Sequence, residues 1–262
     1  MARHALSYSV QGSGFPILLG HSYFFDKTMW APQAAGLSRY FTTVAVDLWG
    51  HGDSPALPAG SATLADLARD HLQLMDRLGF QDFALAGLSV GGMWGAELAA
   101  QAGERLKALV LMDTFIGAEP EAQKQQYFSM LETAERLGAI PEPVIDYAAA
   151  QFYSDAVDAI RLEALKTNMR SLSAERLRQS IVSLGKMIFG RSDRLALLSD
   201  IRCPALVMTG EHDKPRPVSE GQLMAELLKC RHITVPNAGH ISCLENPEFV
   251  NRELLAFFRS AL

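Results

Sequence analysis

The tightest constraint on how this chain folds is the hexapeptide Gly87-Leu88-Ser89-Val90-Gly91-Gly92, set directly behind the apolar run Asp82-Phe83-Ala84-Leu85-Ala86. An apolar run that ends in G-x-S-x-G and then turns helical predicts a buried strand, a very sharp turn and a helix in immediate succession. Such a turn leaves no room for side chains on its flanks, hence Gly87 and Gly91, and it strains the backbone at its apex. The apex is Ser89, so its hydroxyl is expected at the C-terminal end of the strand. The helix behind it points its N-terminal dipole, and the N–H of Val90, at the same space. A dinucleotide-binding turn is the competing reading of a glycine-rich strand–helix junction. It fails because Ser89 stands where the second glycine of G-x-G-x-x-G belongs, and because the first strand lies far upstream.

Short runs rich in Val, Leu and Ile recur at 17–19, 41–48, 82–88, 108–112, 205–208 and 232–235, separated by helical patterns. That rhythm is how a parallel α/β sheet reads. After the fifth of these runs comes Glu211-His212-Asp213-Lys214-Pro215-Arg216-Pro217, and the sixth leads into Pro236-Asn237-Ala238-Gly239-His240. A serine hydroxyl becomes a nucleophile when a base takes its proton and an acid orients that base. Asp213 and His240 supply both, each just past a strand's C-terminal end, in the chain order Ser…Asp…His. Chymotrypsin and subtilisin use other orders.

On these residues the chain resembles the α/β-hydrolase superfamily over essentially its whole length. Phe15-Pro16-Ile17-Leu18-Leu19-Gly20-His21-Ser22-Tyr23 looks like the strand and oxyanion loop that normally reads His-Gly. Asp47-Leu48-Trp49-Gly50-His51-Gly52-Asp53-Ser54-Pro55 looks like the D-x-x-G-x-G-x-S loop after the next strand. The segment from Gly87 to Met93 is most similar to the elbows of enol-lactonases and small bacterial carboxylesterases of the 3-oxoadipate enol-lactonase type. Ser22 departs from the glycine that many members carry and marks a subgroup.

The resemblance implies an α/β-hydrolase fold, a mostly parallel central sheet flanked by helices, with a helical cap inserted after the sixth strand. It implies a triad of Ser89, Asp213 and His240, with the backbone N–H groups of Tyr23 and Val90 as the oxyanion hole. Some members take their acid from the strand end that Asp113 occupies here; Asp213 sits in the commoner place. Ser22, Phe24 and Trp94 are candidate pocket residues, while Phe25, Trp30 and the cap aromatics Tyr127, Phe128, Tyr147 and Phe152 divide between core and pocket. The implied activity is hydrolysis of a small-molecule ester or lactone through an acyl-enzyme, needing neither metal nor organic cofactor. A carbon–carbon bond hydrolase of a ring-cleavage product and a non-catalytic receptor on the same fold are the alternatives; a haloalkane dehalogenase would need an aspartate at position 89.

Between 117 and 198 the strand rhythm stops, and helical patterns cover 119–137, 144–152, 156–170 and 174–189. This divides the chain into a core of 1–116 and 199–262 and a cap of 117–198, whose apolar surface could bury substrate or a second copy in a homo-oligomer. Thr63-Leu64-Ala65-Asp66 reads as a capping box, Gly79 as a helix stop, and Asn246-Pro247 as a helix start. At 262 residues and 48% hydrophobic, one large core is expected. A net charge of -5 argues against nucleic acid or an anionic membrane as partner. The alternating pattern of residues 1–10 lacks the apolar centre of a signal peptide. Cys203, Cys230 and Cys243 cannot all pair, which fits a reducing cytoplasm. Cys243 reads as half-buried behind the site. His51 and His212 adjoin acids, but neither has a second imidazole at metal-binding spacing, so local loop hydrogen bonding is expected of both.

Overall fold

In the computed structural model, which describes residues 5–262, the apolar runs pair into one seven-stranded sheet. The strands are β1 (Tyr8–Gln11), β2 (Pro16–Gly20), β3 (Thr42–Val46), β4 (Phe83–Leu88), β5 (Leu106–Met112), β6 (Ala205–Gly210) and β7 (Arg231–Val235). Their spatial order is β1-β3-β2-β4-β5-β6-β7, with β1 antiparallel at one edge and every other pairing parallel. Residues 1–4 of the alternating N-terminal pattern lie outside the described residues.

The central strands are covered on both faces, which is why they read as continuous apolar runs rather than alternating ones. Period-two alternation sends Leu18 of β2 to one face and Ile17 and Leu19 to the other. The first face packs under α2 (Leu64–Arg77) and α3 (Val90–Ala102), the second under α1 (Ala31–Leu37) and the final helix at Pro247–Ala261. The expected helix signals are present. Thr63 and Asp66 form the reciprocal capping box of α2, Gly79 follows it with φ +77°, and Asn246 caps the last helix through the N–H of Phe249.

Between β5 and β6 the chain leaves the sheet for α4 (Glu121–Leu137), α5 (Glu142–Phe152), α6 (Ala159–Arg170), α7 (Ala174–Arg176), a π turn (Leu177–Ile181) and α8 (Val182–Phe189). Counted along this chain, the insertion follows the fifth strand and not the sixth. The described residues ahead of β2 form the single strand β1, where a sixth-strand count requires two. The remaining α-helices among the described residues are α9 (Val218–Leu228), α10 (Ser242–Glu245) and α11, the final helix already given. No helix among the described residues is long and apolar enough to cross a membrane.

Candidate active site

The turn after β4 has the geometry that its glycines require. Ser89 sits at φ +57°, ψ -121°, a conformation that costs an L-residue on the order of 1–3 kcal/mol unless its surroundings hold it. They do so with main-chain bonds. The Ser89 N–H donates to the Met112 carbonyl at 2.9 Å, and the Ser89 carbonyl accepts from the N–H groups of Gly92 and Met93 and from the Thr114 hydroxyl. A Cβ on Gly87 would run into the Gly91 carbonyl, and one on Gly91 into the Gly20 carbonyl. The turn therefore seats the head of α3 directly against the end of β2.

Three loops at the C-terminal edge of the sheet bring the sequence-predicted trio together. Ser89 Oγ lies 2.9 Å from His240 Nε2, and His240 Nδ1 lies 2.9 and 3.0 Å from the two carboxylate oxygens of Asp213. All three residues are buried. With Nδ1–H donated to the carboxylate, Nε2 is left as the acceptor facing the serine hydroxyl, which is the tautomer a general base requires. Asp213 is itself fixed by the main-chain N–H of Arg216, which donates to Oδ1 at 2.9 Å.

Asp113 lies one strand away and does not bond the imidazole. Its carboxylate accepts from the Gly210 N–H at 2.7 Å and from the Ser242 hydroxyl. Burial, and then the charge of Asp213, push its pKa well above the usual carboxylate range.

The loop after β2 is braced by two imidazoles. His21 accepts the Leu48 N–H at Nε2 and faces the Ser22 carbonyl through Nδ1 at 2.7 Å. His51 accepts the Phe24 N–H at Nε2 and faces the Trp49 carbonyl through Nδ1. Burial lowers the pKa of both, that of His51 to about 3, so each stays neutral and able to accept. His51 thus serves loop bonding, as its sequence context suggested, whereas His212 is exposed beside Glu211. Among the described residues, the main-chain N–H groups of Tyr23 and Val90 donate to no protein acceptor. The Tyr23 hydroxyl reaches into the insertion and donates to the Ile181 carbonyl in the π turn at 2.6 Å.

Ser89 and His240 open onto a chamber of about 110 Å³. Of the three candidate pocket residues, Phe24 lines it. Ser22 and Trp94 do not. Ser22 is fully buried, its hydroxyl without a hydrogen-bond partner among the described residues, and the indole of Trp94 stacks on His71 at 3.8 Å beneath the elbow. Helix α3 is buried at every position from Val90 to Ala99, so its periodicity does not tell a pocket-facing indole from one packed in the core. Trp30 is core; Tyr127, Tyr147 and Phe152 line the chamber, and Phe25 and Phe128 lie outside its lining. Most of the wall comes from the insertion, through apolar residues such as Leu131, Val144, Ile181 and Ile188. Among the described residues, Arg216 is the one Lys, Arg, Asp or Glu in the wall, and nothing in its local sequence marks it as facing a chamber. Cys243 is fully buried rather than half-buried, and burial pushes its thiol pKa well up. All three cysteines are free.

A strained serine at a strand–helix turn, an imidazole and a carboxylate in one hydrogen-bonded line, and a parallel sheet beneath them define a recognisable class. The chain belongs to the alpha/beta hydrolase fold family, which it matches over residues 16–247, and it is a hydrolase of that family. It is 28% identical over 254 residues to carboxylesterase YbfK of Bacillus subtilis (strain 168), covering 92% of this chain and 79% of that one. Among solved structures it is similar to a thermophilic esterase from Thermogutta terrifontis, with a TM-score of 0.87, 28% identity, and 98% and 93% of the two chains covered. It is also similar to the enol-lactonase from Burkholderia xenovorans LB400, with a TM-score of 0.86, 26% identity, and 97% and 96% covered.

Proposed function

We propose that this protein hydrolyses a small-molecule carboxylic ester or lactone by two-step acyl transfer through Ser89. The observation that carries the reading is the unbroken line Ser89–His240–Asp213, closed at one end of an apolar chamber. His240 takes the serine proton as Oγ attacks the carbonyl carbon, and Asp213 holds the imidazole in its useful tautomer and stabilises its charged form. The N–H groups of Tyr23 and Val90 receive the tetrahedral oxyanion, a contact worth roughly 3 kcal/mol per donor in comparable enzymes. His240 then gives its proton to the departing alkoxide. A water activated by the same imidazole attacks the acyl-enzyme, and its breakdown returns the acid and the free serine.

The wall favours an uncharged, apolar acyl or alkyl group. Its single arginine is already matched by carboxylates behind it, so no unpaired charge invites an anionic substrate. The similarity to a carboxylesterase and an enol-lactonase supports an acyl-oxygen bond as the one cleaved.

The test is turnover of p-nitrophenyl esters from acetate to decanoate, wild type beside Ser89→Ala. Ester turnover lost in the alanine variant supports the reading, and the chain-length optimum sizes the chamber. A wild type inert on every ester, with Ser89 still labelled by a fluorophosphonate, moves the substrate to a lactone or a carbon–carbon bond. Normal turnover by Ser89→Ala contradicts the assignment.

A further inference from the structure

One buried cluster at the edge of the chamber has no part in the acyl-transfer steps. Glu119 lies on the segment leading from β5 into α4, Arg191 on the segment leading out of α8, and Arg216 three residues beyond Asp213. Glu119 Oε1 accepts from Arg191 Nη1 at 2.8 Å and also from Arg216 Nη2. The three side chains are 1%, 3% and 6% exposed, so these are charges removed from water. Glu220 supplies a second carboxylate, 3.4 Å from Arg216 Nη1. Among the described residues, Arg191 Nε and Nη2 have no hydrogen-bond partner.

An ion cluster buried to this degree is poor value as a stabiliser, because desolvation offsets most of the attraction; what it does supply is a fixed geometry. Here that geometry joins three places that the sequence keeps apart, with Arg191 72 residues and Arg216 97 residues from Glu119. Two are the ends of the helical insertion. The third is the loop of the triad acid, and Arg216 is the residue whose N–H holds Asp213. Its side chain also forms part of the chamber wall. Other bonds also join the insertion to the site loops, Tyr23 Oη to the Ile181 carbonyl in the interior and Lys214 Nζ to the Ala150 carbonyl and Asp155 at the exposed rim, but each engages a single stretch of the insertion.

We propose that Glu119 is a positioning residue that ties both ends of the insertion to the loop carrying Asp213, so that chamber shape and acid orientation are set together. The geometry stands by itself; the kinetic consequence rests on the hydrolase reading above. Releasing Glu119 loosens the insertion as a unit and lets the acid loop move with it, while the sheet keeps its packing.

The experiment compares Glu119→Gln, Arg191→Gln and Phe258→Leu with wild type by hydrogen exchange and by p-nitrophenyl ester kinetics. Arg191→Gln keeps the Glu119–Arg216 pair and frees only the outgoing segment, which covers the case in which Glu119→Gln fails to fold. Phe258→Leu opens a core defect in α11, away from the insertion, and reports simple destabilisation. The expected result is exchange at least tenfold faster across 121–189 in Glu119→Gln and across 182–189 in Arg191→Gln, with β4 and β5 peptides unchanged. It comes with a KM at least fivefold higher and a broadened acyl-length preference. Exchange that is unchanged, or that rises evenly over the molecule as in Phe258→Leu, overturns the proposal. A wild type without ester turnover or labelling at Ser89 defeats the hydrolase reading instead, and the exchange result still decides the role of Glu119.

Discussion

Two carboxylates, Asp113 and Asp213, end neighbouring strands within reach of one another, and their environments separate their roles. Asp213 faces His240 and accepts a main-chain N–H, whereas Asp113 is committed to Gly210 and Ser242. Asp213→Asn is expected to lower kcat by about 10³–10⁴, because the amide no longer holds the imidazole in its useful tautomer. Asp113→Asn should stay within about tenfold of wild type, and steady-state kinetics on p-nitrophenyl acetate separate the two. The raised pKa of Asp113 also carries a sign. As pH climbs through the ordinary carboxylate range, the unfolded chain ionises at this position while the folded chain remains protonated. The Asp113 contribution to stability is therefore intact below that range and declines as pH rises towards the folded pKa. Asp113→Asn should flatten the fall of the urea midpoint as pH rises above the ordinary carboxylate range; identical slopes would contradict this account. The sequence already named Asp213 and His240, because each sits in a loop directly after a strand. It left Asp113 open, since proximity to a strand end does not say which carboxylate meets the imidazole.

At the scale of elements, the elbow and the insertion differ in how much of them could be read. The G-x-S-x-G turn is local: its chemistry, its strain and its need for bare flanks lie within six residues. Gly91→Ala should cost roughly 1–3 kcal/mol or more, because the new Cβ meets the backbone of β2, which cannot swing aside. Chemical denaturation measures it. The insertion's helices were legible from periodicity to within a few residues, but their contacts were not. Tyr23 meets Ile181 across 158 positions, and Glu119 meets Arg216 across 97, with no local signal for either. Tyr23→Phe removes one hydroxyl donor from the π turn and is expected to lower stability by about 1 kcal/mol. If Tyr23 joins the two parts, the loss should come with faster exchange in 177–189; a variant as stable and as protected as wild type would show that this bond joins nothing.

On the scale of the whole molecule, the parallel sheet was legible because burial on both faces writes itself as unbroken apolar runs. The strand count ahead of the insertion was not, because it depends on pairing beyond any one segment. Three buried histidines bear on the molecule as a unit. Burial lowers the pKa of His21, of His51 to about 3 and of His71 to about 4. Each remains neutral when folded but takes a proton when unfolded as pH falls through the ordinary imidazole range. Their contribution is therefore whole above about pH 6.5 and is lost progressively below it, by on the order of 3 kcal/mol for His71 alone at pH 4. Thermal midpoints taken between pH 7 and pH 4 should fall steeply, and His71→Gln should remove part of that slope. The central claim is that Ser89 is the nucleophile and His240 its base. Its most direct test is peptide mass spectrometry after reaction with a fluorophosphonate, wild type beside His240→Ala. The account predicts one adduct, on the peptide bearing Ser89, formed at least about a hundredfold more slowly without the imidazole. No adduct, an adduct at another residue, or an unchanged rate in His240→Ala would contradict it.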